Sequence, residues 1–316
     1  MLQLTAKITI RSAQTWEFDR VSEVEIVRDS ETLTDTCRIV LPRKVKWNGS
    51  DDIPLRRGDA ITVELGYNGN NQFAFAGYVT SIGLKSPIEI RCEDEMWRMK
   101  SIATTKKAYK AANLKTLISD QQVGIPVNVF GEQNIGDYRV TADTVAELLN
   151  ELRKQGIRSF IRYKNGQSEL CIGVIFDRQG ARQQVFDNQR NIISDSLQWQ
   201  TADDVKLKVK AINLDKNNKQ TTVEVGDADG EVRTLYSTGR TDSQLKEWAQ
   251  QELKRLKRDG LVGSFDTFGH LLVDKLDTVA IVIDSVRRGE YQVQNNTIKY
   301  GSSGFRQSIT IGDRLA

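Results

Sequence analysis

Near the end of the chain, three short runs carrying regularly placed apolar side chains, residues 276–283, 290–293 and 304–312, read as strands with period-two alternation. A period of two gives a strand one inward and one outward face, and turn-forming Gly, Asn and Ser separate the runs. Residues 1–100 share this texture, with strands predicted at 6–10, 21–27, 37–41, 60–65, 73–82 and 88–92. Asp29-Ser30, Asn48-Gly49-Ser50 and Tyr67-Asn68-Gly69-Asn70 supply turns between them. Short strands at such spacing predict a sandwich or barrel.

The two regions echo one another. Residues 58–65 and 276–283 each place an acidic turn residue, Asp59 or Asp277, before an apolar strand. Residues 77–82 then match 290–298, and residues 88–94 match 307–313, in the same order of strands and turns. A repeat of this kind predicts two similar barrels.

Between the echoes the periodicity changes. Residues 93–99 read as a helical turn and the basic, weakly patterned residues 100–112 as a linker. Asn113 can cap a helix over 114–122, followed by a strand at 127–130. Val145, Leu148, Leu149 and Leu152 share one helical face, with Gly156 just past the helix end. Strands at 159–163 and 169–176 flank Lys164-Asn165-Gly166, a hairpin signal. Alternation returns from Val185, with strands at 197–199, 205–212, 221–225 and 231–236 and turns at 215–219 and 227–230. Thr241 and Gln244 form a capping box for a helix that carries Leu245, Trp248, Ala249, Leu253 and Leu256 inward and stops at Gly260. The predicted organisation is mainly β with α+β insertions: a first β-barrel at 1–100, a linker at 101–112 and a small α+β domain at 113–180. Residues 181–215 and 260–316 form a second barrel, interrupted by an insertion at 216–259.

Composition narrows the function. The 316 residues carry 45 basic and 42 acidic side chains, a net charge of +3, too balanced for an electrostatic nucleic-acid binder. No apolar run approaches the ~20 residues of a membrane helix, so no stable membrane insertion is expected. The opening residues read as a strand, not a signal peptide, which predicts synthesis and folding in the cytoplasm. Cys37, Cys92 and Cys171 lie far apart within apolar patterns and read as core filler. His270, the only histidine, follows Phe268-Gly269 in a turn with no serine in a nucleophile-elbow context. Asp227-Ala228-Asp229-Gly230-Glu231 lacks the ligands and helices of a calcium loop, and no phosphate-cradling glycine motif occurs. Neither a catalytic residue nor a metal or cofactor site is predicted.

Gly263-Ser264-Phe265, Phe268-Gly269, Asp277 with Val279, Tyr291 with Val293, and the run 304–312 together resemble the carboxy end of tail hub proteins. These are the baseplate hubs of contractile-tailed phages, the late control protein family and the hub half of type VI secretion spike proteins. Residues 205–211 followed by Val225-Gly226-Asp227, and residues 31–42, resemble the same family. The resemblance implies a homotrimeric, pseudo-sixfold ring that joins the tail tube to a separate spike protein and contacts other baseplate proteins. It also implies a channel that passes DNA or an effector without gripping it, which suits the balanced charge, and a place in the virion tail. Type VI spike proteins fuse the hub to a β-helical spike, whereas these residues stop soon after Gly312, so any spike is expected to be a separate polypeptide. Arg306 and Gln307 are the candidate interface residues; the plainer reading makes them solvent-facing strand positions opposite Phe305 and Ile309. A tail-associated cell-wall hydrolase using paired carboxylates, and a monomeric peptide- or glycan-binding module, are the alternatives.

Overall fold

The computed structural model describes residues 3–45, 47, 53–110, 112–130, 135, 137–154, 157–173, 183–214, 220–238 and 240–315. The turns expected at 48–50 and 215–219, the strand end at 174–176 and the stop at Gly156 lie outside them. The chain is mainly β. Its amino-terminal strands are β1 (Leu4–Arg11), β2 (Thr15–Phe18), β3 (Glu23–Asp29), β4 (Thr36–Val40), β5 (Ala60–Tyr67), β6 (Asn70–Ile82) and β7 (Glu89–Glu93). There follow α1 (Met96–Met99), β8 (Ala108–Tyr109), α2 (Leu114–Ser119), β9 (Val127–Phe130), β10 (Tyr138–Arg139), α3 (Val145–Lys154), β11 (Arg158–Lys164) and β12 (Gln167–Gly173). Next come β13 (Gln183–Asp187), β14 (Ile192–Asp195), β15 (Gln198–Gln200), β16 (Leu207–Leu214), β17 (Gln220–Gly226), β18 (Glu231–Thr238) and α4 (Asp242–Leu256). The last strands are β19 (Gly260–Phe268), β20 (Thr278–Ile283), β21 (Val286–Gly301) and β22 (Gly304–Arg314). Two compact units result, one from Met1–Trp97, Arg178–Leu197 and Gly263–Ala316, the other from Arg98–Asp177 and Gln198–Val262.

The first unit contains a repeated strand order. Six strands run β3-β4-β7-β6-β5-β1 in the first repeat and β14-β19-β22-β21-β20-β13 in the second. The two paths differ in sense at one end, where β1 is antiparallel to β5 but β13 is parallel to β20. Local detail repeats as well. The β6–β7 register slips between Val79 and Ser81, and the β21–β22 register slips between Val293 and Asn295. Asp59 accepts a hydrogen bond from the Arg56 N–H at 2.7 Å, and Asp277 accepts one from the Asp274 N–H at 2.7 Å. Gly58 N–H donates to Val79 O at 2.8 Å, and Leu276 N–H donates to Val293 O at 2.8 Å. Gly58 and Leu276 both have positive φ, +92° and +65°, as this tight turn demands.

Neither repeat closes into the predicted barrel. Among the described strands, both belong to a single open 14-stranded sheet. For the first repeat the cause is the length of β21: its first half pairs β20, and its second half pairs β3 from Asn295↔Asp29 to Gly301↔Glu23. The β3 edge that could have closed the first repeat is therefore taken by the second. Cys37 and Cys92 face each other across β4 and β7 as free thiols, and burial pushes the Cys92 thiol up to about 12.

The second unit holds two smaller sheets with helices. In the first, β12 lies between β11 and β9, and Asn165 and Gly166 have the positive φ values of a two-residue hairpin turn. Leu148, Leu149 and Leu152 of α3 are buried, and Asn113 caps α2 through the Lys115 N–H at 2.9 Å. The stretch expected as a linker is packed: β8 pairs β10, Tyr109 is buried and Lys107 meets Asp120 at 2.8 Å. In the second sheet β16 lies between β17 and β18, with Val209 and Ala211 packed against Leu245 and Ala249 of α4. The second barrel was expected to include β16. Alternation marks a strand without naming its partner, and here the partner is α4 and its hairpin.

Candidate functional site

The candidate site is the seam where the second repeat enters the first, all within the first unit. Ile298, which pairs Ile26 across β21 and β3, is fully buried. Tyr300, Phe305 and Leu272 join the same core as Ile8, Ile10, Ile39 and Val63 of the first repeat. Phe305 packs against Tyr67 with ring centroids 5.7 Å apart, and Tyr67 Oη donates to Phe305 O at 3.1 Å. Gly269 lies directly on the Phe305 ring, where a Cβ would come within 2.2 Å of it.

A polar cluster lies along this apolar contact. Lys275, 1% exposed, donates to Asp35 Oδ1 at 2.6 Å. Asp94 accepts from the backbone N–H groups of Asp35 at 3.1 Å and Met96 at 3.0 Å. Arg28, also buried, donates to Val273 O at 3.3 Å and to Ala74 O, and lies 3.5 Å from Asp274. Burial holds Asp94 up at about 8, with the neighbouring Asp35 charge adding to the effect. Burial likewise raises Asp35, against the pull of Lys275. For Lys275, burial favours the neutral amine, but Asp35 and Asp94 together outweigh it and its pKa is raised.

Gln307 is 1% exposed and shares the inward face of β22 with Phe305 and Ile309, so the solvent-facing reading fails for it on parity alone. Its Oε1 accepts from Val273 N–H at 3.2 Å and Asn296 Nδ2 at 2.9 Å, while Nε2 donates to Leu271 O at 2.9 Å and Phe268 O at 3.2 Å. Arg306 points the other way, half-buried, with its guanidinium 4.7 Å over the Phe268 ring. His270 is exposed in a turn, where its carbonyl accepts from Gln72 Nε2 at 2.8 Å. Sequence reasoning missed Lys275, Asp35, Asp94 and Arg28. They are distant in the chain and each sits beside a turn or strand end, where a charge ordinarily faces water. Among the described residues, no group of three or more His, Cys, Asp or Glu is placed to hold a metal.

No protein-family model matches the chain, and no curated protein matches it in sequence. Solved structures do. A tail protein from Neisseria meningitidis is 14% identical with a TM-score of 0.64, over 98% of this chain and 96% of that one. The 43 kDa tail protein of prophage MuSo2 from Shewanella oneidensis is 16% identical, also with a TM-score of 0.64, over 99% and 97%. The fold is that of phage tail proteins. An E. coli component of the type VI secretion system, described as similar to the T4 tail proteins gp27 and gp5, shares it too. That protein is 11% identical with a TM-score of 0.58, over 98% of this chain and 79% of that one. In this tail-protein fold the seam just described joins one repeat to the next. No helix of the described residues is long and apolar enough to cross a membrane.

Proposed function

We propose that the chain is a structural hub of a contractile tail or a related injection machine. The observation that carries this reading is the edge-to-edge seam between two repeats in one chain with the tail-protein fold. A contact that joins unlike edges of similar units continues until the rotation closes it. Two repeats per chain and three chains give six similar units, which matches a sixfold tube on one side and a threefold spike on the other. The ring encloses a channel for DNA or an effector, and its partners are the tail tube, a separate spike and other baseplate proteins in the virion tail. Arg306, on the outer face of the hairpin, is assigned to contact with a neighbouring protein, whereas Gln307 serves the seam within the chain. The carboxylate pair best placed for hydrolytic chemistry, Asp35 and Asp94, is buried against Lys275, which favours a structural role. Light scattering on purified protein, followed by particle imaging, tests the proposal. A mass about three times that of the chain, with ring-shaped particles, is expected; a monomer at every concentration sinks the self-assembling ring.

A further inference from the structure

The registers of the two repeats assign equivalent residues. Val79↔Cys92 corresponds to Val293↔Ile311, and past the matching slips Ile82↔Ile90 corresponds to Asn296↔Ile309. The Gly83 N–H bond to Glu89 O continues the first ladder as Thr297↔Ser308 continues the second. Leu84 is therefore the equivalent of Ile298. Ile298 is fully buried against Ile26 of the other repeat, while Leu84 is 83% exposed. Beyond Tyr78, the side of β6 that faces away from β7 has no strand partner among the described residues, and in β21 the matching side is the one that pairs β3.

The receiving edge has its own equivalent. Ile39 pairs Ile90 as Phe265 pairs Ile309, so Val24 of β3 corresponds to Asp195 of β14. The Ser196 N–H bond to Ser264 O extends that match, which makes half-buried Leu197 the counterpart of Ile26. Among the described strands β14 pairs only β19, so its other edge is open. Ionisable groups repeat in the same places. The shared turn makes exposed Arg57 the equivalent of Lys275, and Cys92 against Ile311 makes exposed Asp313 the equivalent of Asp94.

We propose that the β6–β7 hairpin of one copy of this chain docks on the β14 edge of a second copy, repeating the internal seam. Leu84 then lies against Leu197, and Arg57 meets Asp313. The inference rests on the ring reading and names the surfaces that close it. A full-strength lysine–aspartate cluster like that at Lys275 does not recur, since Asp35 has Leu261 at its matching position by the same register. The seam between copies is thus a weaker version of the one inside the chain, suited to assembly from folded monomers.

Light scattering on the full chain and its variants tests this, with circular dichroism melting as the control for folding. Arg57→Asp and Asp313→Arg each lower the mass from about three chains to one, and the double swap restores it. Leu84→Asp also gives a folded monomer. Single variants that keep the wild-type mass, or a double swap that stays monomeric, overturn the seam while leaving the ring intact. A wild-type monomer at every concentration overturns the ring itself, and the seam with it.

Discussion

Lys275 and its neighbours make the first repeat sensitive to pH in a direction opposite to that of an ordinary carboxylate pair. Lys275 and Arg28 lie among the carboxylates of Asp35, Asp94 and Asp274 in this buried cluster. Asp94, at about 8 when folded against 3.8 ordinarily, keeps a proton in the native protein that the unfolded chain has released. Folding takes up that proton, so its stabilisation is complete below the ordinary value and fades as pH rises through about 8. The unfolding free energy should therefore fall between pH 6 and pH 8, by about 1.4 kcal/mol per unit at most, and the urea midpoint should fall with it. Asp94→Asn should flatten that decline; a midpoint that rises with pH in the wild type contradicts the assignment. Gly269 offers a second test at the same scale. Its missing Cβ leaves room for the Phe305 ring, so Gly269→Ala overpacks a site that is fully buried. A loss of about 1–3 kcal/mol in unfolding free energy is expected.

At the scale of elements, α4 shows how far sequence reading reaches. Thr241 Oγ1 accepts from Gln244 N–H at 3.4 Å, and Gln244 Oε1 accepts from Thr241 N–H at 3.0 Å, the reciprocal pair predicted from spacing alone. Thr241→Ala should cost about 1 kcal/mol, read as a lower urea midpoint for the second unit, whereas Thr241→Ser should cost little. Capping boxes, hairpin turns and alternation were legible because each is a local rule enforced by backbone geometry. The repeat was legible for the same reason: Asp59 and Asp277 mark the same turn at the same place before a strand. What lay beyond local rules was partnership. Nothing in residues 205–212 says that β16 pairs within the insertion, and nothing in residues 23–29 says that β3 pairs β21 in place of closing a barrel. Gln307 is the instructive miss. A polar residue on an apolar face was read as outward, yet Asn296 and the carbonyls of Phe268 and Leu271 satisfy it inside.

Across the whole chain, the division into two compact units has a thermodynamic consequence. The first unit is assembled from three stretches of sequence, and the seam is internal to it. Removing one partner of a buried ion pair leaves the other charged and unsolvated, a loss of about 3–5 kcal/mol. Lys275→Met strands Asp35 in this way, and the cost falls on the unit that contains both residues. Units with separate cores need not unfold together. Calorimetry of the wild type should resolve two transitions, and Lys275→Met should lower one of them while leaving the other in place. If both move together, the units unfold as one and the seam's energy is shared across the chain.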